Sequence, residues 1–215
     1  KGAWDVTGLG DDVVAFTDQG AGSVFLFDLQ GEFIDRIGTK GSKLREFNEP
    51  SGIVSDGNGG FYVMDAWNGA VKQWDVDNEF AGKLDLTHFK TFYGPRGLCL
   101  DGDELLIADT GSHRIVRLSM DGRILKIYGK HGIGKGEFDS PLSVSVGKDR
   151  VILVAENERI QMLDPKGDVK RVVPVGARVD DVVADSTGRF YVSSARGGFI
   201  KAYSSDGKLL GELRD

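Results

Sequence analysis

Three histidines, His88, His113 and His131, are the residues of this chain best suited to hold a reactive metal. Three imidazoles make a zinc site that keeps one coordination position open for water or substrate. His113 stands with Arg114 in the stretch "DTGSHRI", residues 109 to 115, between the apolar runs Leu105-Leu106-Ile107-Ala108 and Val116-Arg117-Leu118. The carboxylates Asp5, Asp180 and Asp181 are a second candidate set, because a group of carboxylates suits a hard cation such as calcium, or the amine of a ligand. Other chemistry has no warrant. The chain has no Gly-x-Ser-x-Gly elbow, no His-Glu-x-x-His and no phosphate-binding Gly-x-x-x-x-Gly-Lys-Ser/Thr, so neither acyl transfer nor nucleotide hydrolysis is indicated. The single cysteine, Cys99, cannot form an internal disulfide, and between Leu98 and Leu100 it reads as a small buried residue rather than an activated thiol.

Composition narrows the partners. A formal net charge of -6 argues against holding nucleic acid or anionic lipid through an overall field. No run approaches the roughly 18 apolar residues that span a membrane, so membrane insertion is not expected. The chain begins at Lys1, with no signal-like opening; the compartment stays open, extracytoplasmic if an export signal has been removed. With 31 glycines spread evenly and only 5 prolines, no linker divides the chain, and one domain over 1–215 is expected.

The elements that must position these residues recur. The segments "EPSGIVSDGNGGFYVMDAWNGAVKQWDVDNEF" from Glu49 and "GPRGLCLDGDELLIADTGSHRIVRLSMDGRIL" from Gly94 share one grammar. Pro50 to Pro95, Asp56 to Asp101 and Asp65 to Asp109 are all steps of about 45 residues, a period that marks repeat architectures. Segments from Trp4, Ser140 and Val179 follow the same plan, the fourth with a shortened central hairpin. Each holds four strand-sized pieces rich in Val, Ile, Phe and Tyr, separated by Gly, Asp and Asn turns. Val24-Phe25-Leu26-Phe27 and Ile115-Val116-Arg117-Leu118 alternate with period two, and no apolar pattern suits a long helix. Four short strands cannot bury both faces alone, whereas radial stacking lets each sheet cover the next. The expected fold is therefore all-β: a β-propeller of four-stranded antiparallel blades, with blades at about 1–41, 42–86, 87–133, 134–176 and 177–215.

The wording Pro-x-Gly-Ile/Leu-x-x-Asp, then Tyr-Val-x-Asp, Asn/His-x-Arg-Ile and Asp-x-x-Gly resembles the NHL repeat family, most clearly in "IADTGSHRI" and "FDSP". The resemblance implies a propeller that usually has six blades. Five repeats are visible, so the ring is five-bladed or part of a six-bladed one whose last blade lies outside this chain or comes from a partner. The resemblance also brings precedents for function: NHL-like amidating lyases with histidine-bound zinc, related propeller lactonases with calcium, and domains that grip single-stranded RNA on a basic face.

In this grammar "DTGSHR" is the hairpin between the second and third strands of blade three. Its counterparts are Asp18 to Ser23, Asp65 to Ala70, Glu156 to Arg159 and Ser194 to Phe199. Asp109 is expected to cap that hairpin and Arg114 to pair with a carboxylate. These hairpins share one face, the top, with the connections between blades. Aligned strand starts put Trp4, Ser51, Arg96, Leu142 and Asp180 in one ring, and Asp5, Gly52, Gly97, Ser143 and Asp181 in the next. Hairpin tips add Trp67, His113, Arg114, Glu158 and Arg196. Phe89, Phe92 and Tyr93 read as plugs between blades, and Trp74 as core.

The expected function is a non-catalytic binding scaffold that presents Trp4, Trp67, Arg96, His113, Arg114 and Arg196 to a protein or peptide, or less readily to a small ligand. Nucleic acid is not the expected partner, and no cofactor is required. Calcium at Asp5, Asp180 and Asp181 is the first metal candidate and zinc the second. The alternatives are a metal-dependent propeller enzyme of lyase or lactonase type with its site at the central channel, and single-stranded RNA binding.

Overall fold

The computed structural model describes residues 2–86 and 92–214; Lys1, His88 and Phe89 lie outside the described residues. Its strands form five four-stranded antiparallel sheets, each built from four consecutive strands paired in chain order. That is the β-propeller class expected from the repeat. The chain divides into two compact units, Lys1–Leu98 and Cys99–Asp215.

The first unit holds β1 (Ala3–Leu9), β2 (Val13–Asp18), β3 (Ser23–Asp28) and β4 (Phe33–Ile37), then β5 (Pro50–Ser55), β6 (Phe61–Asp65), β7 (Ala70–Trp74) and β8 (Phe80–Asp85). Period two is visible in β3, where Val24 and Leu26 are buried while Phe25 and Phe27 are half-buried. The core joins Leu9, Val24, Leu26, Ile37, Phe47, Ile53, Phe61, Val63 and Trp74. Trp74 is its centre, with ring centroids at 4.9 Å from Phe47, 5.8 Å from Phe61 and 5.4 Å from Phe80.

Phe47 reaches this core from the connection between β4 and β5. Its N–H donates to Thr39 O at 2.8 Å and its carbonyl accepts from Gly41 N at 2.9 Å, which folds the connection back on itself. Gly38 makes room for it: at φ 78 a side chain is strained, and an added Cβ would sit 2.6 Å from Phe47 Cδ2. The second unit repeats the device with Gly129, φ 80, and Phe138.

That unit comprises β9 (Leu98–Asp101, beginning on the last residue of the first unit), β10 (Glu104–Asp109), β11 (Arg114–Ser119) and β12 (Ile124–Tyr128). Then follow β13 (Ser143–Val146), β14 (Ile152–Glu156), β15 (Arg159–Leu163), β16 (Val169–Pro174), β17 (Asp181–Ala184), β18 (Phe190–Ser194), β19 (Phe199–Tyr203) and β20 (Leu209–Arg214). Antiparallel order puts each hairpin between second and third strands at the same end as the connections that lead into and out of its blade. This end carries the candidate site residues.

Strand β11 buries an arginine. Arg117 donates through Nη1 to Asp101 Oδ2 at 2.6 Å and to Glu104, and through Nε to the Tyr128 hydroxyl at 3.0 Å. Arg150 adds a two-pronged contact to Asp101 at 2.9 and 2.8 Å. Burial pushes the Asp101 carboxyl up, but hydrogen bonds from Arg150 and Arg117 and their charges outweigh it and hold the group below the usual carboxylate range. A carboxyl lowered on folding stabilises above its unfolded value, near pH 4, and loses that contribution as pH falls through the lowered one. An Asp101→Asn variant should therefore show a smaller loss of stability between about pH 5 and pH 2 than the wild type, read by urea unfolding at each pH.

Cys99 is buried beside this cluster, as its apolar neighbours suggest. Burial, with the Asp101 charge adding to it, pushes the thiol up to about 12. The folded protein should leave Cys99 unlabelled by a thiol reagent at neutral pH, with labelling only as fast as unfolding. Rapid labelling of native protein would contradict the packing described here.

Candidate functional site

The first unit gathers three of the sequence-predicted residues. The guanidinium of Arg96 lies over the Trp4 ring, 4.9 Å from its centroid, and Nη1 donates to Glu49 Oε1 at 2.9 Å. Glu49 in turn lines an open cleft of about 490 Å³ together with Gln19, Gly20, Lys40, Asn48 and Trp67. Trp67, which lines the cleft with Glu49, is 74% exposed, and Trp4, against Arg96, is 49% exposed.

Local bonds make the cleft rigid. Asp18 Oδ1 accepts from Gly20 N at 2.7 Å and Ala21 N at 2.9 Å, an Asx turn that sets the tip of the β2–β3 hairpin. Gly22, φ 61, lets that hairpin press on the next connection; an added Cβ would be 2.7 Å from Lys40 Cα. Lys40 Nζ donates to Gln19 O at 3.3 Å and to Asn48 O, tying the walls together. On the other side Asn68 Nδ2 donates to Gly41 O at 3.0 Å and to Asp65 Oδ2 at 2.6 Å, which holds the Trp67 tip.

One group in the wall is unsatisfied. Gln19 is only 6% exposed, and its Nε2 has no acceptor, one of two such buried side-chain atoms among the described residues. A buried amide without a partner costs about 1–3 kcal/mol, so native structures seldom keep one without use. Sequence reasoning passed over Gln19, since nothing in "DQGAGS" distinguishes a wall residue from a turn residue.

The second unit holds the other candidates separately. Arg114 Nε donates to the fully buried Asp109 Oδ2 at 2.9 Å, the carboxylate pairing that the hairpin grammar implies. Arg196 is exposed at the β18–β19 hairpin. His113 has the left-handed backbone of φ 55, and its ring centroid is 4.1 Å from that of His131. His113, His131 and Asp139 can each offer one ligand atom within 4.8 Å of the others. Asp139 was not among the expected ligands, although "FDSP" contains it.

Each expected calcium ligand bonds main-chain amides. Asp5 Oδ2 accepts from Ile53 N at 2.9 Å, joining β1 to β5. Asp180 Oδ2 accepts from Ala195 N at 2.7 Å, and Arg178 stands 3.9 Å from its other oxygen. Asp181 Oδ1 accepts from Val182 N at 2.8 Å and from the Ser143 hydroxyl. Tyr93, read as a plug between blades, is instead 74% exposed. In the connections before β5 and β13 that filling role falls to Phe47 and Phe138, both fully buried.

Comparison with known proteins agrees with this architecture. The NHL repeat profile matches residues 92–118, from the segment before β9 through most of β11. RING finger protein nhl-1 of Caenorhabditis elegans is 35% identical over 60 residues, which is 27% of this chain and 6% of that protein; the match thus spans a small fraction of the relative. Among solved structures, a nidogen/laminin complex superposes with a TM-score of 0.80 at 18% identity, covering 99% of this chain and 80% of that one. Virginiamycin B lyase from Staphylococcus aureus gives 0.71 at 15% identity, covering 99% and 70%. Likeness at this identity shows the fold alone, and the fold serves an enzyme and a protein complex alike. Among the described residues no helix is long and apolar enough to cross a membrane. The five four-stranded antiparallel blades make this chain a β-propeller, and the segment 92–118 within it matches an NHL repeat.

Proposed function

We propose that this chain is a non-catalytic binding scaffold whose first unit recognises a peptide segment of a protein partner in the cleft between Gln19 and Trp67. The observation that carries this reading is the orphaned Gln19 amide in the cleft wall. Nε2 itself is buried behind the wall, and rotation of the Gln19 side chain into the cleft would let a main-chain carbonyl of a bound peptide supply the acceptor it lacks. Trp67 offers a large apolar face at low entropic cost, and Lys40, Asn48 and Glu49 supply the polar rim. The protein complex among the similar structures fits this use of the fold.

RNA binding has less support. Arg96 is paired with Glu49 and Arg114 with Asp109, so two of the three arginines expected to grip phosphates already face carboxylates.

Heteronuclear NMR of the full chain, titrated with pools of short capped peptides, tests the reading. Binding peptides should shift the Gln19 side-chain amide and the Trp67 indole N–H together. Peptides that bind while leaving both resonances in place would refute the assignment of the cleft.

A further inference from the structure

We propose that His113, His131 and Asp139 bind one divalent transition-metal ion of the zinc type, independently of the peptide cleft. Two imidazoles and one carboxylate are a donor set that suits zinc and leaves a fourth position open.

The geometry is close to what the ion requires. His113 Nδ1 lies 3.7 Å from Asp139 Oδ1, and His131 Nε2 lies 4.0 Å from the same oxygen. Ligands at 2.0–2.2 Å from a tetrahedral ion stand about 3.3–3.5 Å apart, so closure needs side-chain shifts on the order of 1 Å or less along these two edges. The His131 side chain is 70% exposed and can make that adjustment.

Each ligand is held by the fold. Gly132 N donates to Phe138 O at 3.1 Å and Phe138 N to Lys130 O at 2.8 Å, which lays His131 alongside Phe138 and next to Asp139. Asn157 Nδ2 donates to Asp139 Oδ2 at 2.9 Å and leaves Oδ1 facing the histidines, the outer support that metal-binding carboxylates use. His113 Nδ1 accepts from Ser140 N at 3.0 Å, so this nitrogen carries a lone pair rather than a proton. The ion would take that lone pair, and the exposed Ser140 N–H would turn to water.

The repeat supplies an internal control. In the connection between the first two blades the same three positions are Gly22, Lys40 and Asn48, none of which is a zinc ligand of the usual kind. Between the third and fourth blades all three have changed together to His113, His131 and Asp139. The corner that His113 occupies at φ 55 is glycine at Gly22, Gly69 and Gly198, with φ of 61, 59 and 61. A histidine there accepts backbone strain that glycine avoids, as residues at binding sites do.

Titration of the chelator-treated full chain with zinc chloride, followed by calorimetry, tests the proposal, with cobalt(II) absorption as a second readout. One zinc per chain is expected, with affinity falling as the solution is acidified because imidazole binds only as the neutral base. His131→Ala, which removes a mostly exposed side chain, and Asp139→Asn should each weaken binding by at least about 10-fold, and Asn157→Ala by about 10-fold, with the melting temperature of the metal-free protein little changed for His131→Ala. Three results would overturn the site: no saturable binding, binding unchanged by His131→Ala, or binding that depends on His88 but not on Asp139.

Discussion

Replacing Lys72 by Met is expected to destabilise the folded protein by about 3–5 kcal/mol, the cost of leaving one member of a buried ion pair alone. Lys72 is 2% exposed on β7, and its ammonium lies 2.9 Å from Oδ2 of the fully buried Asp65. The same ammonium donates to Lys43 O at 3.2 Å and to Glu46 O, and it sits 5.2 Å from the Phe47 ring centroid. Its removal uncovers a buried carboxylate and two carbonyls at once. Asp65 retains hydrogen bonds from Asn48 N and Glu49 N at 3.0 Å each and from Asn68 Nδ2, but none of these donors carries a charge. Pairing Lys72→Met with Asp65→Asn should recover part of the loss, because the double change leaves no lone charge. Urea unfolding of the wild type, both single variants and the double variant measures this coupling; additive losses would show that the pair contributes nothing jointly.

The Trp74→Ala change is expected to cost a similar amount, about 3–5 kcal/mol, by a different route. Trp74 is 2% exposed and touches aromatic rings from the connection before its blade, from β6 and from β8. Those neighbours cannot close over the hole together. Phe47 is fixed by main-chain bonds on both sides, and Phe61 opposes Trp74 in the β6–β7 ladder. A Trp74→Phe variant should keep much of the lost stability, since it preserves aromatic contact and leaves a smaller cavity. Equal losses for the two substitutions would mean that the cavity is not the cause.

The blades were legible in the sequence because strand pattern and turn chemistry recur with one period. Val24-Phe25-Leu26-Phe27 reads as a half-buried strand and is one, and Trp74 reads as core and is core. Arg117 shows where period two stops informing. Its position marks an inward-facing residue, but that a charge belongs there follows from Asp101 and Glu104, which lie on other segments. Lys72 is hidden in the same way by partners in the connection from Lys43 to Glu46.

The candidate sites were legible only in part. Trp4, Trp67 and Arg96 were visible as aromatic and arginine residues at one end of the blades, which alternation of strand direction determines. Gln19 was not, because its burial depends on how one hairpin packs against the next connection. Asp139 was missed for a related reason. Its place beside His131 comes from a connection that pairs with itself, and no hydrophobic period reports that fold.

The Gln19–Trp67 cleft is the recognition site we propose. Its most direct test is a random-peptide display selection on the full chain, with the affinity of each recovered peptide then compared for wild type, Trp67→Ala and Gln19→Met. Both variants should bind at least about 10-fold more weakly, while Gln19→Met should be as stable as the wild type or more so, since it removes an unsatisfied buried amide. Peptides that bind the two variants as tightly as the wild type would contradict it.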